Sequence, residues 1–86
     1  MRTRVKICGI TRTQDARAAA QAGADAIGLV FYPPSPRFLS LDWARHLAGE
    51  VPPYVTTVAL FVNPPAADVY TVLERVRPAI RPLADD

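Results

Sequence analysis

The only cysteine and the only lysine of this chain lie two residues apart, in the segment RVKICGIT. Lys6 and Cys8 would share one face of a β-strand, because successive side chains of a strand point to opposite faces. A neighbouring ammonium favours the thiolate, which is the reactive form of cysteine. The pair therefore predicts a proton-accepting Cys8 supported by Lys6, with Gly9 giving a ligand close access to the backbone. A lone cysteine is also commonly a small buried apolar residue, and the pair alone leaves both interpretations open.

A second candidate is Arg37, in the segment SPRF that follows the apolar run AIGLVFY. A guanidinium at the end of a strand is suited to clasping a carboxylate or phosphate through two parallel hydrogen bonds. The commoner alternative for a single loop arginine is a solvated surface residue. His46 falls inside a helical pattern and is interpreted as a surface residue. The sequence has no His-Glu metal motif, no glycine-rich phosphate loop and no Ser-His-Asp set, so no metal site is predicted.

Three strand–helix units would position these residues, at about 4–25, 26–54 and 55–77, followed by an irregular tail over 78–86. Each unit opens with an apolar run and continues into a helical pattern. Thr11 and Gln14 have capping-box spacing, which predicts that the first helix begins at Thr11. Ser40 is predicted to cap the second helix. The third helix is predicted from valines and a leucine on one face: Val69, Val72, Leu73 and Val76.

Consecutive strand–helix units with near-continuous apolar strands predict parallel pairing, with the helices as crossovers. The unit length matches the repeat of a (β/α)₈ barrel. The predicted fold is therefore α/β, a partial TIM barrel of three βα units, with a small open sheet as the alternative. Val5 and Ile7 would then face the helices, and Lys6 and Cys8 the barrel interior. Open sheet edges predict weak stability and self-association.

Composition excludes several classes of function. The 86 residues are 50% hydrophobic with a net charge of +2, which is ordinary for a soluble domain. No apolar stretch approaches the roughly 20 residues of a membrane span. The nine arginines are scattered rather than clustered, which argues against nucleic-acid binding. The N-terminal segment lacks the apolar core of a signal peptide, so a cytoplasmic location is expected.

The segments KICGIT, GADAIGLVFYPPSPRFLS and VALFVN occur in that order and at regular spacing. Together with the alanine-rich helix between the first two, they strongly resemble the phosphoribosylanthranilate isomerase family of tryptophan biosynthesis, from about Arg4 to about Val76. The resemblance implies an Amadori rearrangement of N-(5'-phosphoribosyl)anthranilate without cofactor or metal. It also implies that Cys8 is the general base and that Arg37 holds the anthranilate carboxylate.

The family's general acid is an aspartate on a later strand, and its phosphate site follows the last two strands. Asp85 and Asp86 do not match the acid's position. The chain is therefore expected to be an N-terminal portion that does not turn over substrate alone. Three alternatives stay open: a non-catalytic half-barrel acting only by association, a small flavodoxin-like ligand-binding module, and a basic nucleic-acid binder. The flavodoxin-like module is disfavoured because GITRT has a single glycine.

Overall fold

The computed structural model describes residues 3–82 of the chain. Asp85 and Asp86, which belong to the predicted irregular tail, lie outside the described residues. Three strands alternate with three α-helices: β1 (Lys6–Cys8), α1 (Thr13–Gln21), β2 (Ala26–Val30), α2 (Leu41–Glu50), β3 (Thr56–Leu60) and α3 (Ala66–Arg75). A short 3-10 helix over Arg77–Ala79 follows. This is the strand–helix alternation that the sequence predicts.

The three strands form one parallel sheet in the order β1-β2-β3. Cys8 lies opposite Gly28, and Gly28 lies opposite Val58. Asp25 connects all three strands at their N-terminal ends: its carboxylate accepts the Val5 amide at 2.7 Å, and its carbonyl accepts the Thr56 amide at 3.0 Å. Parallel strands joined by helices place every strand's C-terminal end at the same edge of the sheet.

The core lies between the helices and one face of this sheet. Ile27 and Leu29 of β2 and Leu47 of α2 are fully buried there. The third helix departs from its prediction at Leu73, which is 44% exposed although Val72 and Val76 are buried. Leu73 lines an open cavity of about 200 Å³ beside β3, so the predicted apolar stripe is covered over only part of its width.

The start of α1 is a correction to the sequence analysis. The helix begins at Thr13 with Arg12 as its N-cap, and no side chain caps it. The carbonyl of Arg12 accepts the amides of Asp15 and Ala16, whereas the carbonyl of Thr11 accepts the indole N–H of Trp43. The Thr11 carbonyl is thus directed at Trp43 rather than at the helix, and the first intrahelical bonds form one residue later than the capping-box pattern predicts.

The cap of α2 is confirmed, because Ser40 Oγ accepts the Trp43 amide at 3.2 Å. Gly23, with φ +97°, follows the end of α1 and has the left-handed conformation typical of a helix stop. The 3-10 helix covers Pro78 and Ala79 of the segment predicted as an irregular tail. Ala79 and Ile80 pack against the core, so this segment contributes to the hydrophobic interior.

Candidate active site

Cys8 is the last residue of β1, at the C-terminal edge of the sheet. A β-carbon placed on Gly28 would lie 3.4 Å from Cys8 Sγ and 2.9 Å from Leu60 Cδ1. Cys8 and Leu60 therefore share the sheet face onto which a side chain at position 28 would project. The alternate residues Ile27 and Leu29 are buried on the helix-covered face. The thiol thus lies on the open face, which would be the interior face of a closed barrel.

Lys6 is on the same face as Cys8, because it lies two residues earlier in the same strand. Val5 and Ile7 lie on the other face, where they line a groove with α1 residues such as Ala18 and Ala22. The facing directions agree with the expectation from the sequence. Cys8 is a free and exposed cysteine, which differs from the alternative interpretation as a small buried residue.

Arg37 reaches the backbone of Gly9, the residue directly after Cys8. A β-carbon placed on Gly9 would lie 2.5 Å from Arg37 Cδ and 3.1 Å from Arg37 Nη1. Gly9 also has φ +79°, which favours glycine. Only a residue without a side chain therefore permits both this backbone conformation and this approach. The structure thus places the Arg37 side chain against the residue that follows Cys8.

The loop between β2 and α2 folds back over the end of its own strand and so directs Arg37. The amide of Leu39 donates to the Val30 carbonyl at 3.0 Å, and Phe38 forms an isolated parallel bridge with Val30. Ser35 Oγ accepts the Arg37 amide at 3.1 Å. These bonds hold the segment around Arg37 at the C-terminal edge, beside the end of β1.

Lys6 and Arg37 supply two positive charges near the end of β1. Within residues 3–82, the side chains of Lys6 and Arg37 have no carboxylate in ion-pair contact, whereas the helices carry the pairs Arg12–Asp15 and Arg75–Asp42. An uncompensated ammonium and guanidinium beside a thiol form a local site that attracts an anion. The arrangement is suited to holding an anionic group while Cys8 exchanges a proton with it.

Two carboxyl groups have lowered pKa values, one in the first turn of α1 and one at the end of α2. The Arg12 hydrogen bond lowers the pKa of Asp15 in α1. The hydrogen bond from Arg17 lowers the pKa of Glu50 and joins α1 to α2. Both carboxylates have arginine partners and contribute to helix structure. They are therefore poor candidates for an acid at the site.

Two contributors to the site were missed by the sequence analysis. Gly28 leaves room beside Cys8 Sγ, and an isolated glycine within a strand pattern is a known signal of close approach. Trp43 donates its indole N–H to the Thr11 carbonyl at 2.7 Å. No local pattern reports that contact, because the two residues are 32 positions apart. His46 is exposed and stacks on Trp43 at 4.9 Å between ring centroids.

In the described part of the chain, no three His, Cys, Asp or Glu side chains are grouped closely enough to hold a metal ion. Among the same residues, no helix has the length and apolar character needed to cross a bilayer.

The fold and the site define a segment of a parallel βα barrel with a thiol and a guanidinium at its C-terminal strand ends. The family described as N-(5'phosphoribosyl)anthranilate (PRA) isomerase matches residues 5–80. The chain belongs to this family.

Relatives and solved structures agree with this assignment. The chain is 59% identical over 76 residues to N-(5'-phosphoribosyl)anthranilate isomerase of Acinetobacter calcoaceticus, covering 88% of this chain and 36% of the relative. It is 61% identical over 72 residues to the enzyme of Acidithiobacillus ferrooxidans, covering 84% and 35%. The chain thus spans little more than a third of the length of these curated relatives.

The fold matches the phosphoribosylanthranilate isomerase of Thermotoga maritima with a TM-score of 0.84 and 45% identity, covering 88% of this chain and 37% of that one. A second matched structure, with the same TM-score and identity, holds reduced 1-(o-carboxyphenylamino)-1-deoxyribulose 5-phosphate, and the match covers 88% of this chain and 39% of that one. These neighbours are (β/α)₈ barrels, so the three parallel βα units correspond to part of such a barrel.

Proposed function

We propose that this chain supplies the first three βα units of a phosphoribosylanthranilate isomerase, together with the base and the carboxylate anchor. The observation that carries the proposal is the contact of Arg37 with Gly9, the residue that follows the exposed Cys8. The reaction is the Amadori rearrangement of N-(5'-phosphoribosyl)anthranilate to 1-(o-carboxyphenylamino)-1-deoxyribulose 5-phosphate, in tryptophan biosynthesis. The matched isomerase structure that holds the reduced form of this product supports a small-molecule ligand.

In the proposed mechanism, an acid first protonates the ribose ring oxygen, and the ring opens to an iminium. The Cys8 thiolate then takes the proton from C2' of the sugar, and the electron pair of that C–H bond neutralises the iminium to give an enolamine. Tautomerisation of the enolamine produces the ketone. A base for this step must reach the carbon-bound proton, and the exposed thiol at the end of β1 is accessible to a ligand above the sheet.

Arg37 would hold the anthranilate carboxylate through paired N–H donors. Its side chain extends over Gly9, so a carboxylate bound by it would lie near the end of β1. Fixing one end of the substrate in this way places C2' over the thiol and lowers the entropic barrier of the proton transfer. Lys6, on the same face as Cys8, would support the site with a second positive charge toward an anionic substrate.

The chain alone is proposed to be inactive. The family resemblance places the general acid and the phosphate site in segments beyond the roughly one third of the enzyme that this chain spans. Base and anchor without acid leave the ring-opening step uncatalysed. A steady-state assay that follows the fluorescence of the substrate tests this, and turnover by the 86-residue chain comparable to that of a full-length isomerase would contradict it.

The proposed roles are tested in a hybrid enzyme. Residues 1–76 of this chain are joined to the part of the Acidithiobacillus ferrooxidans relative that follows its matched segment. In an active hybrid, Cys8→Ala is expected to lower kcat by about 10²- to 10⁴-fold, the usual contribution of a general base. Arg37→Gln is expected mainly to raise KM, and the matched control Arg45→Gln, on the exposed face of α2, leaves both unchanged. A Cys8→Ala hybrid with undiminished kcat would remove Cys8 from the mechanism.

Self-association through the sheet edges is part of the proposal. In the sheet of residues 3–82, β1 and β3 each pair with β2 alone, and unpaired strand edges favour association. Val5 and Ile7 beside the β1 edge are 44% and 39% exposed. Sedimentation at several concentrations is expected to give a mass that rises above the 9.4 kDa of one chain. A constant monomer mass over the whole concentration range would contradict this.

A cytoplasmic location is also proposed, since the base must remain a free thiol and the cytosol keeps thiols reduced. Cell fractionation with an antibody to the chain tests this. Recovery of the protein from the culture medium or the periplasm would contradict it.

A further inference from the structure

The chain has one tryptophan, and its position is fixed by two hydrogen bonds of different kinds. Trp43 lies in the first turn of α2, where its amide donates to Ser40 Oγ. Its indole N–H extends away from the helix and donates to the Thr11 carbonyl at 2.7 Å. The cap thus sets the backbone from which the indole reaches the loop between β1 and α1.

That loop is the short segment 9–12, which begins directly after Cys8. Its start is held by the amides of Gly9 and Ile10, both of which donate to the Gly28 carbonyl, at 3.0 and 3.3 Å. Beyond Ile10, the Thr11 carbonyl is held by Trp43. The loop is therefore held at one end by β2 and at the other by the first turn of α2.

Arg37 packs against the loop at the first of these two attachments, where Gly9 is held by β2. Its side chain packs against Gly9 so closely that a β-carbon there would be 2.5 Å from Arg37 Cδ. Thr11 follows Gly9 by two residues, so the loop against which Arg37 packs is restrained from both ends, by Gly28 and by Trp43. A donor that fixes the Thr11 carbonyl therefore acts on the site without touching a ligand.

We propose that Trp43 is a positioning residue for the candidate site: its indole N–H fixes the loop after β1, against which Arg37 packs at the residue that follows Cys8. This inference rests on the proposed function, in which Arg37 presents a positive charge to an anionic group near the thiol. His46 stacks on the indole ring but makes no part of the hydrogen bond, so it offers a matched control.

The test uses the 86-residue chain and its single thiol. The rate of Cys8 alkylation is measured with iodoacetate, which is anionic, and with iodoacetamide, which is neutral. The ratio of the two rates reports positive charge near the thiol, and a general loosening of the fold changes both rates together. Trp43→Phe keeps an aromatic ring but removes the N–H, and it is expected to lower the ratio about threefold, as does Arg37→Gln. His46→Ala is expected to leave the ratio unchanged.

The outcomes separate the inference from the proposed function. A ratio lowered by Arg37→Gln but unchanged by Trp43→Phe would overturn the positioning role and leave the proposed site in place. An equal fall in His46→Ala would also overturn it, because ring stacking would then be responsible. A ratio unchanged by Arg37→Gln would overturn the proposed site and the inference with it.

A measurement on the unsubstituted chain keeps the inference testable if Trp43→Phe does not fold. The single indole N–H gives one proton NMR resonance. This proton is expected to exchange slowly with solvent because it is hydrogen-bonded to the Thr11 carbonyl. Exchange at the rate of a free indole would overturn the proposal.

Discussion

The space beside the Cys8 sulfur depends on the absence of a side chain at Gly28. A β-carbon there would lie 3.3 Å from Cys8 Cα and 2.9 Å from Leu60 Cδ1. The Leu60 methyl is at the end of a flexible side chain and can move, whereas the Cys8 backbone is held by its pairing with β2. An added methyl group would therefore crowd the thiol more than it disturbs the sheet.

Gly28→Ala is expected to destabilise the chain by about 1 kcal/mol, the lower part of the range for overpacking, and to slow alkylation of Cys8 severalfold. Urea unfolding and the iodoacetamide rate measure the two effects. The control is Gly49→Ala in α2, where a β-carbon meets only Ala79 O at 3.7 Å and a gain of up to about 1 kcal/mol is expected. Equal effects at the two glycines would contradict the assigned role of Gly28.

At the scale of the elements, the start of α2 supports both its own helix and the contacts that reach the end of β1. The Ser40 cap fixes the first turn of α2, which carries Trp43. The same segment continues from the loop that bears Arg37. A weakened cap would therefore loosen both the helix and the contacts that reach the end of β1.

Ser40→Ala is expected to lower the free energy of unfolding by about 1 kcal/mol, the typical contribution of a side-chain N-cap. Thr71→Ala removes a hydroxyl from the middle of α3, where it donates to the Ala67 carbonyl and caps nothing. That control is expected to be neutral or slightly stabilising, since alanine is the better helix former. Thermal or urea unfolding measures the stability of both variants. An equal loss of stability in the two would contradict the assigned cap.

The elements themselves were predictable because each has a local signature. Apolar runs predicted the strands, and Ser40 correctly predicted the start of α2. The start of α1 was predicted too early. The Thr11 carbonyl accepts the indole N–H of Trp43, and no local pattern in the sequence indicates that contact. For Arg37 and Gly9, the sequence predicted only that both lie at the C-terminal edge of the sheet. Their contact depends on how residues 31–40 fold back over β2.

For the whole molecule, two carboxylates couple stability to pH. The hydrogen bonds from Arg12 and Arg17 lower the folded-state pKa values of Asp15 and Glu50 below their ordinary values of 3.8 and 4.5. Because these pKa values are lower in the folded chain, the stabilisation is fully present above the ordinary values. It is lost as pH falls through the folded-state values.

Urea midpoints measured from pH 7 down to pH 3 are therefore expected to fall most steeply below about pH 4.5, near the ordinary range of carboxyl titration. Glu50→Gln is expected to flatten this fall, because the pair with Arg17 joins α1 to α2. Asp42→Asn is the comparison, since Asp42 is 92% exposed with Arg75 at 3.6 Å. A pH dependence unaltered by Glu50→Gln would show that this pair does not contribute.

The central claim is that the Cys8 thiol and the Arg37 guanidinium bind the same carboxylate-bearing ligand. Protection of Cys8 by anthranilate against alkylation tests this claim most directly. Anthranilate is added to the 86-residue chain while iodoacetamide alkylates the thiol, with aniline as the matched compound that lacks the carboxylate. Anthranilate is expected to slow alkylation in a saturable way, aniline to have no effect, and Arg37→Gln to abolish the protection. Alkylation equally fast with and without anthranilate, up to its solubility, would contradict the account.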